Sequence, residues 1–138
     1  KKQEKSHAGH GVLDGVPKGM PALMRAYKLQ AKAAKVGFDW QDIEPVWDKL
    51  REEIGELKEA LTEQDKAAVE NELGDVLFTV VNLARLLKYE PETALNMTNN
   101  KFIKRFKYVE QCVAERGSEW AEFSLSELDE FWELAKKI

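Results

Sequence analysis

The stretch Trp47-Asp-Lys-Leu50-Arg-Glu-Glu-Ile54-Gly-Glu-Leu57-Lys-Glu-Ala-Leu61 decides the fold class. Its apolar residues Trp47, Leu50, Ile54, Leu57 and Leu61 recur at spacings of three and four, the stripe of an amphipathic helix. Pro45 suits the first turn, so the spacing predicts a helix over 45–61. Downstream, residues 62–65 read as a turn and 66–88 as a third helix. Tyr89-Glu90-Pro91 breaks the chain before a fourth helix, 91–116, closed by Gly117. Ser124-Leu-Ser-Glu127 has the capping-box pattern and opens a fifth helix. Upstream, Pro21 starts a first helix over 21–36 that Gly37 stops. No segment alternates with a strand's period, so the expected fold is all-α, a compact bundle of about five helices.

The 138 residues suffice for one domain without disulfide staples, and 33% charged with 43% hydrophobic residues excludes collagen, low-complexity disorder and disulfide scaffolds. A single cysteine, Cys112, cannot form an internal bridge, which points to a reducing cytoplasm. The net charge of −4 gives no reason to expect a nucleic acid polymer as partner. The longest nearly apolar run, 76–87, is interrupted by Asn82 and Arg85 and is too short for a membrane span. Residues 1–19 are polar and Gly-rich and read as a flexible tail or linker, with residues 20–138 as the helical domain. His7 and His10 fall in that tail and are not taken as metal ligands. The chain does not begin with Met, which fits either processing or a piece of a longer protein.

Chemistry concentrates on two acidic constellations. Lys49, Glu53, Glu56 and Ala60 follow i, i+4, i+7, i+11 and share one face of the second helix, beside its apolar stripe. Glu52 and Glu59 point half a turn away, toward solvent. On the third helix, Leu73, Val76, Leu77, Val80, Ala84 and Leu87 form the expected core stripe. Phe78 and Val81 add bulk on another side, so this helix is expected to be buried nearly all round. Through it runs a polar row of Glu72, Asp75, Thr79 and Asn82. The short turn implies antiparallel packing, which sets Glu53 and Glu56 opposite Glu72 and Asp75. Desolvated carboxylates need compensation, either from basic side chains or from a metal ion. Four carboxylates without His or Cys suit Mg²⁺, or Mn²⁺ as the alternative ion. A ferritin-like di-iron site would need a His three residues after a Glu, and no helix carries one.

The fourth helix supplies Lys101, Lys104, Arg105 and Lys107, with Lys101 and Arg105 on one face. The fifth offers Trp132 and Lys136, again at i, i+4. These read either as groups for an anionic substrate or as ordinary solvated and core positions. Cys112, beside Val109 and Val113, reads as a packed thiol.

Glu52-Glu53-Ile54-Gly55-Glu56, then fifteen residues, then Glu72-Leu73-Gly74-Asp75, resembles the EExxE…ExxD signature of the MazG nucleoside triphosphate pyrophosphohydrolases, in the all-α NTP pyrophosphatase superfamily. The resemblance extends to Leu13-Asp-Gly-Val-Pro17, Pro21-Ala-Leu-Met-Arg-Ala26, Val36-Gly-Phe-Asp-Trp40 and Asn99-Asn-Lys-Phe-Ile-Lys-Arg-Phe106. It implies that Glu53, Glu56, Glu72 and Asp75 bind Mg²⁺ and serve catalysis. It further implies that Lys49, Lys101, Arg105, Trp132 and Lys136 hold the nucleotide, and that the chain forms a homodimer. Many such proteins carry two copies of the domain, and residues 17–40 resemble the start of the second, C-terminal copy.

The expected activity is therefore Mg²⁺-dependent cleavage of nucleoside triphosphates, ribo or deoxy, to monophosphate and pyrophosphate with broad base specificity. Specialised relatives acting on dUTP and dCTP or on phosphoribosyl-ATP are the close alternatives. A non-enzymatic helical module that only dimerises is the alternative from another class. Base stacking falls to Phe38, Trp40 or Trp132.

Overall fold

A computed structural model describes residues 11–117 and 119–138. Among these residues the protein is all-helical, with five α-helices and no strand: α1 (Ala22–Lys35), α2 (Glu44–Thr62), α3 (Lys66–Leu86), α4 (Pro91–Glu115) and α5 (Leu125–Ala135). A single 3₁₀ turn, Trp120–Glu122, precedes α5. The chain divides into two units, one ending at Glu92 and the other Thr93–Ile138.

Helix ends follow the local chemistry that the sequence predicts. Gly37, at φ 93°, closes α1 in a Schellman motif: its N–H donates to the Ala34 carbonyl and that of Phe38 to the Ala33 carbonyl. Between α2 and α3 the turn places Gln64 at φ 58°, and the Asp65 side chain caps α3 by accepting from the Ala68 N–H at 3.1 Å. Before α5, Ser124 Oγ accepts from the Glu127 N–H while Glu127 Oε1 accepts from the Ser124 N–H.

In the first unit α2 and α3 form a helical hairpin and α1 packs against α3. The side chains it encloses are not the stripes expected from periodicity. Val46, Ala60, Val81 and Leu83 are buried, together with the polar Gln30, Glu53 and Thr79. Of the expected α2 stripe, Trp47, Ile54 and Leu61 are exposed. Of the α3 stripe, Leu73, Leu77, Val80 and Leu87 are 42–50% exposed, so α3 is not buried all round. The helices are rotated so that the polar row of α3 meets Glu53 of α2, which turns the leucines outward. Residues 11–19 run in turns, with the Val16 N–H bonded to the Leu13 carbonyl and Val16 itself buried. That stretch therefore adds an apolar side chain to the core, which its polar composition did not foreshadow. His7 and His10 lie outside the described residues.

The second unit is built on aromatic packing. Val109, Val113 and Phe131 form its core, with Cys112, Phe123, Leu128 and Trp132 against it. The thiol of Cys112 is thus packed, as its neighbours predict. No described helix is long and apolar enough to cross a membrane.

Candidate functional site

Glu53 sits on the face of α2 turned toward α3 and is only 5% exposed. Its Oε1 pairs with Lys49 Nζ at 3.1 Å, one turn earlier, and Lys49 also reaches Glu52 Oε1 at 3.3 Å. The two carboxylates, Glu53 before Glu52, hold the Lys49 ammonium above its ordinary pKa. Carboxylate oxygens of Glu53, Glu72 and Asp75 lie within 4.8 Å of one another, and a second trio of Glu52, Glu53 and Glu56 does the same. The hairpin therefore gathers all four expected carboxylates around Glu53. Glu52 is exposed, as its helical position predicts, yet its carboxylate remains within reach of Glu53 and Glu56.

Electrostatics at this cluster are unfavourable for the protein alone. The Glu53 charge, followed by loss of water and the Glu72 charge, raises the Glu56 pKa. Loss of water, followed by Asp75 and Glu53, raises that of Glu72. Glu53 Oε2 and Glu72 Oε2 are buried without a hydrogen-bond partner. A buried acceptor left unsatisfied costs about 1–3 kcal/mol, more when charged, and Lys49 supplies one positive charge against five carboxylates. An all-oxygen donor set with orphaned lone pairs and excess negative charge fits a hard divalent cation. Thr79 faces the same space but donates its hydroxyl to the Asp75 carbonyl at 2.9 Å.

Beside the carboxylates opens a hollow of about 330 Å³ lined by Trp40, Lys49, Glu53, Asp75, Phe78, Thr79 and Asn82. A larger one, about 460 Å³, shares Trp40, Phe78 and Asn82 with it. At the larger hollow sits a cluster that local spacing does not show. Arg85 makes a bidentate pair with Asp39, at 3.0 and 2.6 Å, and its side chain is 10% exposed. The hydrogen bonds from Arg85 hold the Asp39 carboxyl below its ordinary pKa. The guanidinium also donates to Asn82 Oδ1 at 2.9 Å and to Gln30 Oε1 at 3.3 Å. In the sequence Asn82 is legible as the end of the polar row, and Arg85 only as a polar interruption of the run 76–87.

The remaining expected residues belong to the second unit. Lys101 is exposed and Arg105 half-buried on α4. Between these two, Phe102 meets Trp132 of α5 with ring centroids 5.2 Å apart and stacks on Phe106 at 5.9 Å. Lys136, one turn after Trp132, pairs with Glu133 at 3.0 Å. Lys104 and Lys107 line a separate hollow with Tyr108 and Ile138.

Among the described residues the protein is thus all-helical, with a carboxylate cluster clasped in a helical hairpin that could hold a metal ion. Comparison with known proteins makes the assignment sharper. The MazG nucleotide pyrophosphohydrolase domain matches residues 41–110, a span that contains both acidic trios. The chain belongs to the MazG family. It is 46% identical over 134 residues to a nucleoside triphosphate pyrophosphohydrolase of Escherichia coli, covering 94% of this chain and 50% of that protein. To the nucleoside triphosphate pyrophosphohydrolase/pyrophosphatase MazG of Thermotoga maritima it is 42% identical over 136 residues, covering 99% of this chain and 52% of that protein. A further relative, Bacillus subtilis YabN, is 48% identical over 138 residues, which make up 28% of its length. The chain thus spans about half the length of the first relatives it matches.

Proposed function

We propose that this chain carries a Mg²⁺-dependent nucleoside triphosphate pyrophosphohydrolase site of broad base specificity, releasing nucleoside monophosphate and pyrophosphate. The observation that carries the proposal is the pair of buried, unpartnered oxygens of Glu53 and Glu72, gathered with Asp75 in a family whose relatives bear that activity as a name. Glu53, Glu56, Glu72 and Asp75 are the residues that would hold the ion, with Mn²⁺ as the substitute. Bound there, a divalent cation supplies the positive charge that lets a triphosphate approach the carboxylates, together with Lewis-acid polarisation of the phosphates.

The chain's own groups do the rest. Lys49 binds phosphate oxygens beside the carboxylates, and the resemblance assigns the same role to Lys101, Arg105 and Lys136 and packing on the nucleotide to Trp132. Hydrolysis breaks the α–β phosphoanhydride bond, placing the water oxygen on the monophosphate and the electron pair of the broken bond on pyrophosphate. One of the carboxylates, Glu53 or Glu56, takes the water's proton. The row Leu73, Leu77, Val80 and Leu87, exposed in the single chain, is the face through which two copies form a homodimer. The setting is the cytoplasm, in keeping with a single packed cysteine.

The decisive experiment measures pyrophosphate released from a panel of nucleoside triphosphates with Mg²⁺, with and without EDTA. The proposal expects release from several bases, abolished by EDTA. Release from dUTP and dCTP alone, or from phosphoribosyl-ATP alone, would identify a specialised relative. No release from any substrate would leave a helical dimerisation module.

A further inference from the structure

We infer that Arg85, through Asp39 and Gln30, sets the rotation of α3 that turns Glu72 and Asp75 toward Glu53, and so acts as a positioning residue for the cation site. This rests on the cation reading of the carboxylate cluster. From Asp75 to Arg85 the helix runs about 15 Å, so the guanidinium touches neither the carboxylates nor an ion held by them. The acidic end of the hairpin has little of its own to fix that rotation. Carboxylates of both helices converge there, and Glu53 Oε2 and Glu72 Oε2 have no hydrogen-bond partner. Among the described residues no side-chain hydrogen bond or ion pair joins α2 to α3, since Lys49 pairs within α2 and Thr79 bonds within α3. The apolar side gives no better hold, because Leu73, Leu77 and Val80 are exposed.

At the other end of α3 the hold is specific. Arg85 donates to both carboxylate oxygens of Asp39, in the connector between α1 and α2, at 3.0 and 2.6 Å. It also donates to Gln30 Oε1 of α1 at 3.3 Å. Gln30, 6% exposed, donates in turn through Nε2 to the Phe78 carbonyl of α3 at 3.0 Å. The helix is thus fastened to α1 at two heights, Phe78 and Arg85, about two turns apart. Successive side chains stand about 100° apart around a helix. A roll by one position, enough to bring the leucines inward, would part Arg85 from Asp39 and Gln30 together. Breaking a buried pair leaves a charge uncompensated, and fixing register is the best-attested use of such buried polar contacts. The fork of the guanidinium matters, because two parallel bonds to one carboxylate fix an angle as well as a distance. Since α3 is one continuous helix over Lys66–Leu86, the angle set at Arg85 is the angle at which Glu72 and Asp75 meet Glu53.

The test is Mn²⁺ binding to the whole chain, followed by electron paramagnetic resonance and requiring no substrate. Arg85→Met should weaken binding about tenfold, the lower end of what losing a residue that supports a metal ligand costs, with helix content by circular dichroism unchanged. Arg85→Lys keeps the charge but not the fork and should lose about threefold. Asp39→Ala should weaken binding as Arg85→Met does, and the double variant should lose no more than either alone, because the two act as one unit. Val16→Ala opens a cavity elsewhere in the same unit, so it should lower the Tm and leave Mn²⁺ affinity unchanged. Native affinity in folded Arg85→Lys and Asp39→Ala, additive losses in the double variant, or an equal loss in Val16→Ala overturns the inference. Where Arg85→Met fails to fold, Arg85→Lys and Asp39→Ala decide it. A native chain that binds no Mn²⁺ brings down the cation reading as well, whereas native binding that the variants share removes the positioning role alone.

Discussion

Two rows of side chains run along α3, and the polar one is the better covered. In the row Glu72, Asp75, Thr79 and Asn82, Thr79 is buried, Glu72 and Asn82 are half-buried, and only Asp75 is exposed. Leu73, Leu77, Val80 and Leu87 are all exposed. The hydrophobic effect alone would turn the helix the other way. An interior acidic row is costly when nothing neutralises it, and an outward leucine row is costly when nothing covers it. Both costs occur on one helix. In our proposal each row is completed by something outside the chain: a cation for the carboxylates and a second copy for the leucines.

Each row can be attacked separately. The largest effect is expected at the acidic row, where Asp75→Ala should reduce pyrophosphate release by more than about a hundredfold, beyond the loss typical of an outer-shell partner. Helical content by circular dichroism should be unchanged. Full activity in that variant would break the carboxylate account. Next come the cations of α4. Lys101→Ala and Arg105→Ala should each lower kcat/KM about ten- to a hundredfold, as loss of a charge-assisted contact does. Lys107→Ala should change it little, and three equal losses would mean a diffuse basic face.

The leucine row answers to a different measurement. Leu77→Asp should convert a dimer to monomers in sedimentation analysis, because a desolvated charge at an interface is strongly unfavourable. An unchanged mass would show the row is not the contact between copies. The smallest effect concerns acidity. Glu72 has a folded-state pKa raised above its ordinary 4.5, so in EDTA it costs stability as pH rises through that window. Below its ordinary pKa it is protonated in both states and costs nothing. Glu72→Gln should therefore raise the Tm of the metal-free protein at neutral pH by a few degrees, with the gain disappearing below about pH 4.5. The same gain at every pH would assign it to packing.

Much of this was legible in the sequence, and the gaps have a common cause. Gly37 and the Ser124–Glu127 box act through neighbours within a few residues, and short-range spacing reveals such contacts directly. The carboxylates were legible because an i, i+3 pattern on two helices joined by a short turn leaves few ways to arrange them. Periodicity also found the leucine stripe of α3 but not its direction. It assumes that a chain buries its own apolar face, and here the interior of the hairpin is occupied by Glu53. The Gln30–Asp39–Arg85 cluster was not legible at all. Its members lie 46 and 55 residues apart in the chain, and nothing local marks them beyond the polar breaks at Asn82 and Arg85.

The central claim is that the inward carboxylate row is a cation site, and thermal denaturation tests it without reference to substrate. Mg²⁺ that binds the folded cluster and not the unfolded chain must raise the Tm, by an amount that grows with its concentration. We expect a rise over the EDTA-treated protein in the native chain, a smaller rise in Glu56→Ala and none in Asp75→Ala. An equal rise in all three proteins, or no rise in the native chain at millimolar Mg²⁺, would contradict the account.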